Sequence, residues 1–137
     1  MSIATIETEL KSIFKDRFST SESTRNTYSR GEDTYDPVLS KAVIFPETNE
    51  EVSTILKICN ERKIPVVPFG TGTSLEGNVV GNEEGITVSL EKMNKVRQFN
   101  KESQSITVES GIILSKIHDV VEKENLFFPL SLGAQGS

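Results

Sequence analysis

The chain has 137 residues, the length of one domain with a modest hydrophobic core. Its formal net charge of −5 gives no attraction for phosphate backbones or anionic lipid, so nucleic-acid and membrane-surface binding are disfavoured. No apolar run approaches the ~20 residues of a transmembrane helix, the start lacks a secretory signal, and a single cysteine excludes an internal disulfide framework. These features predict a cytoplasmic protein, with peripheral membrane association left open.

Residues 1–37 are predicted to form a helical N-terminal arm. Within residues 3–16, apolar side chains recur at the spacing of one helix face: Ile3, Ile6, Leu10, Ile13 and Phe14. The polar, turn-rich stretch that follows is expected to hold one short helix around residues 21–29 and ends at Pro37. Its three clustered acidic residues are interpreted as a solvated, turn-forming face: Glu32, Asp33 and Asp36.

From residue 38 onward, short apolar runs alternate with amphipathic segments. Strands are predicted at residues 41–45, 64–69 and 85–90, and a hairpin is predicted from residues 95–100 and 105–110. The alternation predicts an α+β (α/β) fold, in which a mixed parallel and antiparallel sheet is flanked by helices.

Two helices are predicted among these strands. The first follows Thr48, whose hydroxyl is expected to accept from the N–H of Glu51 while the Glu51 carboxylate reaches back, as in a capping box. Cys59 lies on the apolar face of that helix and is interpreted as a small core residue, not as a reactive thiol. The second helix is opened by Gly111 and ends near Asn125. Its inward residues are expected to be Ile113, Leu114, Ile117, Val120 and Val121.

The stretch "FGTGTSLEGN", residues 69–78, concentrates glycines and hydroxyl side chains directly after the second strand. It departs from the Rossmann fingerprint because Leu75 stands where the third glycine belongs. It departs from the nucleoside-triphosphate loop because Asn78 and Val79 replace the lysine and the hydroxyl residue. Glycine still allows consecutive N–H groups to converge on one anion, and no proline removes a donor here. Two interpretations stay open: a diphosphate site, or a mobile connection between strands.

Two stretches carry a resemblance to a known family. "IPVVPFGTGTSLEGN", with "ETNEEVSTILKICNERK" before it, resembles the FAD-binding (PCMH-type) domain of the vanillyl-alcohol-oxidase-like flavoproteins. Within that superfamily the chain is most similar to the cytochrome-type D-lactate dehydrogenases, over about residues 17–137. The resemblance implies that residues 38–137 are the first part of the FAD-binding domain, and that the chain is the front of a longer protein.

The resemblance implies FAD as the cofactor and assigns its contacts residue by residue. The loop that binds the FAD pyrophosphate would comprise Phe69, Gly70, Thr71, Gly72, Thr73, Ser74, Gly77 and Asn78. The beginning of the family's second flavin-contact loop is matched by Gly133, Ala134 and Ser137. The second subdomain, the substrate-binding cap and the catalytic and metal-ligand region would all follow residue 137. No catalytic or metal-binding residue is therefore assigned here, and His118 is interpreted as a flanking residue of the last helix.

The implied reaction is oxidation of a D-2-hydroxy acid to the 2-oxo acid, with electrons passed to FAD and then to a cytochrome or another acceptor. D-lactate is the favoured substrate. Glycolate and D-2-hydroxyglutarate are the alternatives. Ser131 and Leu132 stand where D-lactate relatives usually carry Asp-Pro, and "LSLGAQGS" is more similar to the D-2-hydroxyglutarate dehydrogenase branch. The fragment alone is expected to be inactive, with the remainder of its own chain packing on its C-terminal end. The competing hypothesis is a stand-alone nucleotide-binding, anion-binding or interaction module derived from a flavoprotein.

Overall fold

The computed structural model describes residues 3–130, in which helices and short strands alternate. In chain order the elements are α1 (Ile3–Phe14), a 3-10 turn (Lys15–Arg17), β1 (Phe18–Ser19), α2 (Glu22–Thr27), β2 (Ala42–Ile44), α3 (Asn49–Glu61), β3 (Val66–Phe69), β4 (Ile86–Ser89), β5 (Val96–Asn100), β6 (Ser105–Val108), α4 (Leu114–Val121) and a second 3-10 turn (Glu122–Glu124).

One mixed sheet organises these elements, in the strand order β1-β2-β4-β3. β4 is parallel to both β2 and β3, and β1 is antiparallel to β2. Every residue of β2 and β4 is buried, because both strands are covered on both faces. β5 and β6 form the predicted antiparallel hairpin apart from this sheet. The mixed sheet with flanking helices confirms the predicted fold class.

The hydrophobic core lies between one face of this sheet and the two longest helices. α1 contributes Ile6, Leu10 and Phe14, which are all at most 2% exposed, as their spacing predicts. Ile13 is 41% exposed, so its predicted place on the inward face is wrong. Successive helix residues point about 100° apart, and Phe14 takes the inward direction. The side chain of Ile3 lies outside the described residues.

The start of α3 is held by the predicted cap and by a partner from the arm. The Thr48 hydroxyl accepts from the Glu51 N–H at 3.2 Å, which confirms that half of the capping box. The Glu51 carboxylate instead accepts from the N–H of Glu47 at 2.7 Å. Two guanidinium nitrogens of Arg17 also reach its two oxygens, at 2.6 Å each. The arm is thus tied to the first turn of α3.

The last helix begins later than its sequence predicts and ends where its sequence predicts. Gly111 was predicted to open a helix, but α4 begins at Leu114. A Cβ atom on Gly111 would collide with the carbonyl oxygen of Leu90, so glycine is required there for close approach. The helical segment ends, as predicted, at Asn125, which has φ +56°. Within residues 3–130, none of the helices is both long and apolar enough to cross a bilayer.

Candidate functional site

The glycine-rich loop leaves the carboxyl end of β3, where parallel sheets commonly bind their ligands. Gly72 and Gly77 have φ values of +77° and +71°, which glycine adopts without strain. A Cβ atom on Gly72 would lie 2.8 Å from the Phe69 ring, and one on Gly77 would lie 2.9 Å from the ring of Tyr35. These two glycines therefore serve both the backbone turns and the close packing of two aromatic rings.

Within the described residues, three carbonyl groups of this loop accept hydrogen bonds, whereas a run of its N–H groups meets no acceptor. The carbonyl oxygens of Phe69, Gly72 and Gly77 accept from N–H groups elsewhere in the protein at 2.9, 2.9 and 3.1 Å. Among the described residues, no acceptor pairs with the N–H groups of residues 70–75, a run of consecutive donors. Consecutive unpaired N–H groups form a natural anion-binding surface. This donor set fits the oxygen atoms of a diphosphate.

The arm packs directly against the loop, a contact that the sequence did not predict. The Gly72 carbonyl oxygen accepts its 2.9 Å hydrogen bond from the N–H of Glu32. A Cβ atom on Gly31 would lie 2.6 Å from the carbonyl oxygen of Ser74 and 2.8 Å from that of Gly72. Residues 31 and 32 therefore fix one side of the loop without occupying its free N–H groups.

Tyr28 anchors the same part of the arm by its ring and by its hydroxyl. The ring packs edge-on against Phe45 and Phe69, with centroid separations of 5.4 and 5.0 Å. Its hydroxyl donates to the carboxylate of Glu91 at 2.6 Å. Burial, followed by this hydrogen bond, raises the pKa of Tyr28 to about 12. Tyr28 is therefore a protonated donor throughout the neutral range.

A cleft of about 410 Å³ lies between the arm and the loop. Its volume is within the usual range for ligand sites. The loop lines it with Phe69, Gly70, Thr71 and Gly72, and the charged residues that line it are Arg30, Glu32 and Glu91. Residues 70–72, whose N–H groups meet no acceptor among the described residues, thus line a concavity in which a bound anion would be partly shielded from water.

The remaining predicted contacts divide into two groups. Thr73, Ser74, Gly77 and Asn78 lie on the same loop but do not line this cleft. The Thr71 and Thr73 hydroxyls approach each other at 3.5 Å. The predicted second contact loop, Gly133, Ala134 and Ser137, lies outside the described residues.

Other chemically reactive residues do not join the cleft. His118 lies on α4 with its ring 6.5 Å from that of Phe128, and it is not among the cleft residues. Asp33 accepts from the N–H groups of Gly31 and Tyr35 at 3.3 and 3.0 Å, so it shapes the turn in which it lies. Within the described part of the chain, no group of three or more His, Cys, Asp or Glu side chains is arranged to hold a metal ion.

Comparison with known proteins identifies the family. The model of the FAD binding domain matches residues 40–137. The chain is 34% identical over 131 residues to the mitochondrial D-lactate dehydrogenase (cytochrome) of Arabidopsis thaliana, covering 94% of this chain and 23% of that protein. It is 38% identical over 88 residues to glycolate oxidase subunit GlcD of Bacillus subtilis, covering 64% and 19%. It is 37% identical over 98 residues to the probable mitochondrial D-2-hydroxyglutarate dehydrogenase of Oryza sativa subsp. indica, covering 72% and 18%.

The family match identifies the cofactor, whereas the structural match shows only the fold. The family match confirms FAD, the cofactor that the resemblance implied. The crystal structure of p-cresol methylhydroxylase with substrate bound superposes with a TM-score of 0.82 at 22% identity, covering 98% of this chain and 27% of that one. At that identity the likeness shows the fold alone. The chain spans about a fifth of the length of the curated relatives it matches.

Proposed function

Because the chain belongs to the family of FAD binding domains, we propose that residues 69–78 hold the diphosphate of FAD. The observation that carries this proposal is the run of free N–H groups at residues 70–75, at the carboxyl end of β3. Three carbonyl groups of the same loop accept hydrogen bonds from the protein, whereas the N–H groups of residues 70–75 meet no acceptor among the described residues. Such a surface binds an anion through dipoles, which is how an acidic chain can hold a diphosphate.

The proposed contacts are those assigned by resemblance to the loop, from Phe69 to Ser74 together with Gly77 and Asn78. Gly133, Ala134 and Ser137 are proposed to begin a second contact with the flavin. The loop's role is to position the cofactor; when bound, FAD supplies the hydride acceptor.

We further infer that the protein oxidises a D-2-hydroxy acid to the 2-oxo acid, with D-lactate as the favoured substrate and a cytochrome or another carrier as the electron acceptor. Support comes from relatives named as D-lactate dehydrogenases, at 34–45% identity. Relatives named for glycolate and D-2-hydroxyglutarate keep these two acids as alternatives. The base that takes the hydroxyl proton is proposed to lie outside residues 1–137.

The loop assignment is tested by substituting Gly72 in the natural gene product that carries this chain. Gly72→Val places a branched side chain at φ +77° and against the Phe69 ring, so the loop must change its path. We expect FAD affinity to fall by about tenfold or more, measured by calorimetric titration of the flavin-free protein. Thr8→Val, on the exposed face of α1, is the control. Unchanged FAD affinity in Gly72→Val would exclude this loop as the diphosphate site.

The substrate assignment needs a separate measurement. The purified gene product is assayed with D-lactate, glycolate and D-2-hydroxyglutarate, using first an artificial dye and then cytochrome c as acceptor. D-lactate is expected to give the highest kcat/KM. A higher value for either of the other acids would replace D-lactate, and no turnover with any of them would leave only the binding function.

We also propose that residues 126–130 pack against a further part of the polypeptide. Phe127 is 79% exposed and Leu130 is 47% exposed. An exposed apolar segment of this kind marks an interaction surface. The isolated chain is expected to bind a hydrophobic dye or to self-associate, and Phe127→Ser should reduce either effect. A monomeric chain that binds no dye would favour a stand-alone module.

A further inference from the structure

We propose that Arg30 is the cation that neutralises the diphosphate of FAD in this cleft. The inference rests on the proposed function and adds to it a residue outside the glycine-rich loop. Arg30 is exposed and lines the same cleft as Gly70, Thr71 and Gly72. Among the described residues, no carboxylate lies within 4.0 Å of its guanidinium group, so the charge is free to meet a ligand.

The backbone on both sides of Arg30 is fixed to the glycine-rich loop and its continuation. The carbonyl oxygen of Ser29 accepts from the N–H of Gly81 at 2.9 Å, and the N–H of Glu32 donates to Gly72 at 2.9 Å. Ser29 is 2% exposed, and Gly31 has no room for a side chain against the loop. Arg30 is therefore a side chain on an anchored segment, and only its own rotamers need to be ordered when it meets an anion.

The charges around the cleft give this arginine a specific task. The loop itself, residues 69–78, contains no lysine or arginine and one carboxylate, Glu76. The other charged cleft residues are Glu32 and Glu91, and both are acidic. A diphosphate entering this site would meet these carboxylates as well as the free N–H groups. An arginine that lines the same cleft offsets that repulsion, and its planar guanidinium matches phosphate oxygens with two parallel hydrogen bonds.

The test compares FAD with riboflavin, which lacks the diphosphate, by calorimetric titration of the flavin-free natural gene product. We expect Arg30→Gln to weaken FAD binding about tenfold, while the dissociation constant of riboflavin stays unchanged. Arg30→Lys keeps the positive charge but loses the two parallel hydrogen bonds of the guanidinium group, so its FAD affinity should lie between those of the wild type and Arg30→Gln. Lys11→Gln removes an exposed positive charge from α1, away from the cleft, and is the matched control.

The outcomes separate this inference from the proposed function. Wild-type protein that binds neither flavin contradicts the proposed function itself. Wild-type protein that binds FAD, with equal affinity in Arg30→Gln, overturns the role of Arg30 alone. Equal weakening of FAD and riboflavin in Arg30→Gln also overturns it, because the residue would then support the structure of the site and not the diphosphate. FAD affinity of Arg30→Gln should also depend less steeply on NaCl concentration than that of the wild type.

Discussion

Gly31 packs against the glycine-rich loop and Gly70 belongs to it, but a methyl group has very different surroundings at the two positions. At Gly31 it would lie 2.6 Å from one backbone carbonyl oxygen, whereas at Gly70 it would meet nothing within 4 Å. Gly31→Ala is therefore expected to lower the free energy of unfolding by about 1–3 kcal/mol. Gly70→Ala should stay within about 0.5 kcal/mol of the wild type. Chemical denaturation of both variants measures the difference, and equal stabilities would contradict the packing of the arm on the loop.

Glu51 makes the fold sensitive to acid. Its hydrogen bonds with Arg17 are the main cause that lowers the pKa of its carboxyl group from 4.5 to about 2. Its ionised form therefore contributes stability in full above pH 4.5, and that contribution is lost as the pH falls from 4.5 toward 2. Glu51→Gln is expected to unfold with a flatter dependence on pH in this window. It should also be about 1–3 kcal/mol less stable at neutral pH.

The control for this pH dependence is Glu50→Gln, an exposed carboxylate in the same helical turn. Its unfolding free energy should follow the wild-type curve between pH 5 and pH 2, to within about 0.5 kcal/mol. A wild-type slope in Glu51→Gln would show that other carboxylates dominate the acid response.

This residue also shows how far spacing alone can predict a contact. The bond from the Glu51 N–H to Thr48 spans 3 residues, and the helix geometry dictates it. The ion pair with Arg17 spans 34 residues, and it depends on how the arm packs beside the start of α3. No local pattern distinguishes Arg17 from the other basic residues of the arm, so the sequence could not identify it.

At the scale of elements, the arm holds the glycine-rich loop through Tyr28. Tyr28→Phe removes only the hydroxyl that donates to Glu91, so it is expected to cost about 1 kcal/mol. Tyr28→Ala also removes the edge-on contacts with Phe45 and Phe69 and should cost about 3–5 kcal/mol. Thermal unfolding followed by circular dichroism measures both values. Equal losses in the two variants would mean that the hydroxyl, not the ring, provides the anchor.

The elements themselves were largely predictable, and their mutual packing was not. The short runs of residues 41–45 and 85–90, rich in β-branched side chains, predicted β2 and β4, in which every residue is buried. The two-residue strand β1 lies in a stretch without a strand pattern, since pairing with β2 alone defines it. The candidate site also has a part that the sequence predicted and a part that it did not. Glycines and hydroxyls marked the loop, but the wall formed by Arg30 and Glu32 depends on tertiary contacts.

At the scale of the whole molecule, α1 and the sheet share one core and should unfold together. Phe14 is 1% exposed, and Phe14→Ala is expected to lower the stability of the entire described chain by about 3–5 kcal/mol. Ile13→Ala, one residue earlier and 41% exposed, should change it by about 0.5 kcal/mol or less.

The division of the chain between residues 37 and 38 stays a prediction, and the same variants test it. Helix loss is followed by circular dichroism, and opening of the loop region is followed by limited proteolysis at increasing temperature. In Phe14→Ala the two probes should give the same thermal midpoint. If α1 melted in that variant while the sheet kept the wild-type midpoint, the arm would be a separate unit.

The labelling rate of Cys59 can report how fast α3 separates from the sheet. The thiol is 1% exposed between α3 and the sheet, and burial raises its pKa to about 11. At neutral pH it is therefore both shielded and protonated, and a disulfide reagent can modify it only when α3 leaves the sheet. With excess reagent, the labelling rate should stop rising with reagent concentration and equal the rate of that opening. A rate that instead rose in strict proportion to reagent would report the equilibrium fraction of open molecules.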